Sequence, residues 1–274
     1  MLLAARTVLC ALPLLALALY GVIGLPPTAP GAVVVPPAGI DGPMQPRRQG
    51  GPLLILLVGT SLTSRGIWPD RLAEGLAACA PVGVAVERLA RSGESIRWGL
   101  PALIARLADL TLQPPDIVIA EFGGNDASPH RGLPLPLSRR RTLRLVAAIR
   151  AAGAVPLLAT MSPEWGREGA KRPGQARYHS MYRDVAAETG AGLIDTVPLW
   201  LALPAAERRM LVPDDAHPTD IGSEFITLPA FRAALKPLVC GWLGTGRTEN
   251  DDFRHRRHHP YYDVARLARC PAEP

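Results

Sequence analysis

The chain predicts an α/β fold built on a parallel sheet covered by helices on both faces. Three observations carry that expectation. Short apolar runs alternate five times with helical patterns, which implies right-handed crossovers between parallel strands. The first run, residues 53–58 (LLILLV), contains no polar residue and so suits a strand buried on both sides. Small polar turns follow several of the runs, at the edge where open α/β sheets take ligands.

The elements follow in order. Arg6 precedes an uncharged stretch, residues 8–25, so residues 1–25 read as a cleaved secretory signal or as an uncleaved membrane anchor. The stretch is near the lower length limit for spanning a bilayer, and no clear Ala-x-Ala site follows it. Arg6 would hold the N-terminus in the cytoplasm and export the remainder, to a periplasmic or extracellular face. Residues 26–50, rich in Pro and Gly, read as a linker. The domain is expected over residues 51–243. Its strands fall at 53–58, 82–89, 116–122, 155–160 and 192–195, and its helices at about 67–79, 96–112, 140–152, 174–189 and 219–235. Residues 244–274 form a polar basic tail whose RHRRHH run, 254–259, lacks zinc-site spacing and reads as solvated.

Composition sets outer bounds. At 274 residues and 48% hydrophobic content the chain can fill one sizeable core. The net charge of +6 is mostly a chain-wide excess of Arg, and no nucleic-acid-binding motif accompanies it, so no nucleic-acid partner is expected. Cys10 follows Leu9 and does not look like a lipid-attachment site. In an oxidising compartment Cys240 and Cys270 could pair and leave Cys79 in the first helix; three unpaired thiols are the alternative. No metal or cofactor site is expected, and oligomeric state is not legible.

Four separated segments belong at one sheet edge. Ser61 follows the first strand in a Gly-Thr-Ser-Leu-Thr turn; Gly93 follows the second; Gly123-Gly124-Asn125-Asp126 follows the third; Asp214-Asp215-Ala216-His217 precedes the last helix. Acyl transfer by a serine needs a base, a carboxylate to orient that base, and donors aimed at the oxyanion. His217 can be the base and Asp214 its orienter, with Asp215 an alternative only if the turn is distorted. The Ser61 and Gly93 N–H groups and the Asn125 amide can be the donors.

In these residues the chain resembles the SGNH hydrolases, the GDSL esterase/lipase family, over about residues 53–235. GTSLT matches the nucleophile block, Gly93 the oxyanion glycine, GGND the Gly-x-Asn-Asp block and DDAH the Asp-x-x-His block. The resemblance implies a flavodoxin-like three-layer sandwich of five parallel strands in the order 2-1-3-4-5, and hydrolysis of carboxylic esters or thioesters without a cofactor. One departure stands out: Gly-Asp-Ser reads Gly59-Thr60-Ser61, which predicts altered hydrogen bonding beside the nucleophile.

Substrate choice is thinly written. Residues 128–138 and 161–177 are long loops at the catalytic edge, where Trp165 could pack on a sugar or acyl group and Arg131, Arg167, Lys171 and Arg172 could attract an anion. A polar, Arg-bearing rim favours a short acyl group, such as acetyl on an envelope glycan. The alternatives are an O-acyltransferase acting on a polysaccharide and an inactive, membrane-tethered binding protein.

Overall fold

A computed structural model describes residues 33–40, 42–80 and 82–240. The N-terminal apolar segment, Cys270 and the basic tail lie outside them. Six strands, β1 (Val33–Val35), β2 (Leu53–Gly59), β3 (Val84–Ala90), β4 (Ile117–Ala120), β5 (Val155–Thr160) and β6 (Gly192–Asp195), form one sheet in the order β1-β6-β5-β4-β2-β3. Strands β2 to β6 pair in parallel and reproduce the expected 2-1-3-4-5 order. Five long helices cover the sheet: α1 (Trp68–Ala77), α2 (Ile96–Ala108), α3 (Leu135–Ala151), α4 (Gln175–Thr189) and α5 (Leu228–Val239).

Strand β2 shows why the sheet is buried on both faces. Leu53, Ile55 and Leu57 pack with Trp68, Leu72 and Phe231 from α1 and α5, while Leu56 and Val58 pack with residues such as Ile96 and Val146 from α2 and α3. A two-residue side-chain period sends alternate positions to opposite layers, so a strand with two cores has no polar face. Strand β3, at the sheet edge, is half-buried throughout and therefore admits Glu87 and Arg88. Glu87 accepts from Nε and Nη2 of the buried Arg106 guanidinium, each at 2.7 Å, and so pins α2 to the edge.

Three expectations need correction. The segment read as a linker contributes β1, which pairs antiparallel with β6 as a sixth strand. Its Val-Val-Val run suits an edge strand, and Pro36 and Pro37 end it. The residues after β1 stay on the domain: Met44 N–H donates to Leu238 at 2.7 Å, and Arg47 N–H donates to the buried Asp116 carboxylate at 2.7 Å.

The second correction concerns cysteine. Cys240 pairs with Cys79, not with Cys270, across 161 residues of chain and a Cα separation of 5.1 Å. Helices α1 and α5 lie side by side, with Trp68 edge-on to Phe231 at 4.8 Å, so their C-terminal ends meet.

Third, the helix expected over residues 219–235 is broken. A short turn, Asp220–Gly222, runs into a wide π turn, Ser223–Thr227, before α5 begins. Pro229 lacks the N–H that would bond the Phe225 carbonyl, and its ring crowds that group, which favours a wider turn.

Candidate active site

The end of β2 delivers Ser61. The strand stops at Gly59, and Ser61 opens a single helical turn, Ser61–Ser64, with the Thr60 hydroxyl accepting from the Leu62 N–H at 3.3 Å. Beneath this turn sits Glu121, from the chain just past β4. Its buried carboxylate accepts from the Thr60 N–H at 2.6 Å, from the Thr60 hydroxyl at 3.1 Å and from the Thr63 hydroxyl at 2.8 Å. Gly59 makes the approach feasible, because a Cβ there would stand 2.2 Å from Glu121 Oε1. A carboxylate from the chain just past β4 thus supports the Gly-Thr-Ser turn. Burial pushes the Glu121 carboxyl up to about 7; the Thr60 N–H and the two hydroxyls pull against it, and nearby Glu164 adds to the rise.

His217 and Asp214 reach the same place from a turn after the short helix Ala205–Leu211. His217 Nε2 lies 2.9 Å from Ser61 Oγ, and His217 Nδ1 lies 2.7 Å from Asp214 Oδ2. An imidazole protonated on Nδ1 satisfies both contacts: it donates to the carboxylate and accepts from the serine hydroxyl. The other Asp214 oxygen accepts from the N–H groups of Ala216, at 3.0 Å, and His217, at 2.6 Å. Partial burial works to raise the Asp214 carboxyl, but the His217 and Ala216 donors and the neighbouring ring outweigh it and hold the group below its ordinary value.

Asp215 does not orient the base. It takes the left-handed conformation, at φ 63°, that folds Asp214 back onto His217. Its own Oδ2 accepts from the Arg167 N–H at 3.3 Å and its carbonyl from the Trp165 N–H at 2.8 Å, which ties the turn to the 161–177 loop.

The expected oxyanion donors line the same cavity, whose volume is ≈ 440 Å³. Gly93 sits at φ 78°, and neither its N–H nor that of Ser61 donates to any acceptor among the described residues. Asn125 donates one amide hydrogen to the Glu94 carbonyl at 2.8 Å, which leaves the second for a ligand. Asp126, the last member of GGND, is structural: fully buried, it accepts from the Ile96 N–H at 2.9 Å and from the Ser138 hydroxyl, joining the starts of α2 and α3. Burial raises its carboxyl to about 6, against those two donors.

The remaining walls sort the other expectations. Arg131 and Arg172 line the cavity; Trp165, Arg167 and Lys171 do not. Trp165 instead packs against Trp200, at 6.3 Å, and under the Arg208 guanidinium. Arg172 pairs with the buried Glu164, at 3.2 Å, and with Glu168, at 3.4 Å. The sequence reading missed Arg65, Glu121, Glu164 and His179, all of them lining the cavity. A glutamate closing an otherwise apolar strand run was the available signal for Glu121. His179, on α4, carried none, since its spacing is that of an ordinary buried helix face. Burial, followed by the Arg183 charge, lowers its imidazole to about 4, so it is neutral at physiological pH.

Comparison with known proteins identifies the family. The model of the GDSL-like Lipase/Acylhydrolase family matches residues 56–225. The chain belongs to that family. Among solved structures it is similar to TesA, at 26% identity over 68% of this chain and 99% of that one, with a TM-score of 0.55. It is also similar to a lipase/acylhydrolase from Enterococcus faecalis, at 22% identity over 67% and 95%, with a TM-score of 0.56. A catalytic mutant of Axe2, an acetylxylan esterase from Geobacillus stearothermophilus, shares the fold at 21% identity over 68% and 95%, with a TM-score of 0.53. No curated protein matches the chain.

Proposed function

We propose that this chain, a serine hydrolase acting on ester bonds by its family, cleaves short-acyl esters of a glycan through an acyl-enzyme on Ser61. The observation that carries the reading is the continuous relay from Ser61 through His217 to Asp214. In this mechanism His217 takes the serine proton as Oγ attacks the carbonyl carbon. The oxyanion then receives the Ser61 and Gly93 N–H groups and the Asn125 amide. His217 returns the proton to the departing alcohol, and a water activated by the same ring releases the acid.

Two features support the substrate class. Glu164, one buried carboxylate oxygen of which has no hydrogen-bond partner among the described residues, lines the cavity with Asn125 and Arg131, polar groups that a long alkyl chain would leave without partners. Acetylxylan esterases are among the solved structures with this fold. An exported location, with residues 8–25 as signal or anchor, fits the Cys79–Cys240 bridge, since disulfides persist in oxidising compartments.

The test is hydrolysis of 4-nitrophenyl acetate together with labelling by a fluorophosphonate. Ser61→Ala is expected to abolish both, and Asn125→Ala to lower turnover about 10²–10³-fold with the fold intact. Wild-type rates in both variants would overturn the reading, and transfer of acetyl to an added glycan in place of water would make the chain an acyltransferase.

A further inference from the structure

The cations around the cavity are unevenly partnered. Each acid that lines it is engaged: Asp214 by His217, Glu121 by Thr60 and Thr63, and Glu164 and Glu168 by Arg172, with Lys171 also on Glu168. Of the three arginines in the lining, Arg172 is thereby neutralised. Arg65 and Arg131 are exposed, and neither has a hydrogen-bond or ion-pair partner for its side chain among the described residues.

These two cations flank one wall. Arg65 ends the nucleophile turn, its N–H on the Ser61 carbonyl at 3.0 Å. Arg131 lies across the bare face of Gly93, where a Cβ would stand 2.3 Å from its Nη1. The Ser64 and Ser92 hydroxyls, 3.1 Å apart, join the turn that carries Arg65 to the loop that carries Gly93. Two unpaired guanidinium groups therefore border the opening beside Ser61 and the expected oxyanion donors. Guanidinium forks match carboxylate and phosphate oxygens in geometry as well as charge.

The geometry points to an anion subsite: the substrate is an ester whose alcohol part carries a carboxylate or a phosphate, held between Arg65 and Arg131. This rests on the reading of Ser61 as an esterase nucleophile. The anion belongs to the alcohol part because both arginines are exposed at the mouth, whereas the acyl group enters among the buried Glu121, Glu164 and His179. An acetylated glycan containing uronic acid has this chemistry.

Binding to the full chain tests the subsite without turnover. Methyl glucuronide is expected to bind about tenfold tighter than methyl glucoside, a preference one charge-assisted contact accounts for. The Arg65→Gln/Arg131→Gln double variant, and each single variant to a lesser degree, should close that gap. So should about 0.5 M NaCl, by screening. Glucose 6-phosphate measured against glucose tells whether phosphate or carboxylate is the preferred anion. Equal affinities for charged and neutral sugars in the wild type, or a preference unmoved in the double variant, would overturn the subsite. The parent reading fails separately: a chain that prefers the glucuronide but cannot cleave 4-nitrophenyl acetate keeps the subsite and loses the esterase. One that cleaves the acetate without any anion preference does the reverse.

Discussion

Ser61 stands on a turn anchored in the core, while His217 stands on a turn held by its own neighbours. The nucleophile is 8% exposed, and the Glu121 carboxylate beneath it is 5% exposed. The His217 and Asp214 side chains are 32% and 55% exposed, and three of their contacts join residues at most three apart in sequence. One half of the relay is thus set by long-range packing and the other largely by local backbone geometry, with Asp215 tying its turn to the 161–177 loop. Electrostatic damage should therefore differ in kind between them: loss of chemistry on the exposed side, and altered pH-dependent stability on the buried side.

The largest expected effect breaks the exposed half. Asp214→Asn keeps the shape but removes the charge that orients and stabilises the imidazolium, so kcat on a short ester should fall about 10²–10⁴-fold with little change in melting temperature. A drop below tenfold would mean that the Asp214 contact is not needed for turnover.

Glu121→Gln probes the buried half. Its carboxyl titrates at about 7 in the folded chain, against an ordinary value of 4.5. Between those values the folded state holds a proton that the unfolded state has released, so wild-type stability falls as pH rises through this window, and the full penalty applies above it. The glutamine variant has no such group. Its unfolding free energy relative to wild type should rise by about 2.5 kcal/mol between pH 5 and pH 8, measured by denaturant titration. Taking that difference cancels the parallel contribution of Asp126 and the opposite one of His179, whose lowered value makes stability rise with pH. A flat difference curve would show that Glu121 is ionised throughout.

The smallest effect sharpens the local side. Asp215 occupies the left-handed region that folds the Asp214–His217 turn. Asp215→Val should cost about 1–2 kcal/mol of stability, whereas Asp215→Gly, relieved of its Cβ, should cost less despite losing the bond to Arg167. Equal melting temperatures for the two variants would remove the conformational argument.

The same division explains how much was legible beforehand. Strand β2 and the Asp-x-x-His turn could be read because each is a local pattern, one of apolar continuity and one of short spacing. The β1 edge could not, since Val33–Val35 gains meaning only by pairing with β6 about 160 residues later. Trp165 looked like a substrate platform in a long loop, but Trp200 and Arg208 cover it from helices that carry little periodicity of their own.

By itself the sequence determined which residues can do the chemistry and the succession of strands and helices that bears them, because hydrophobic period and turn composition act over a few residues at a time. Only the tertiary structure decided that a glutamate just past β4 supports the nucleophile turn, that Cys79 meets Cys240, and that Arg65 and Arg131 border one opening. Those outcomes depend on how separate layers pack, where a side chain's partner is chosen by distance in space and by the need to satisfy buried charge.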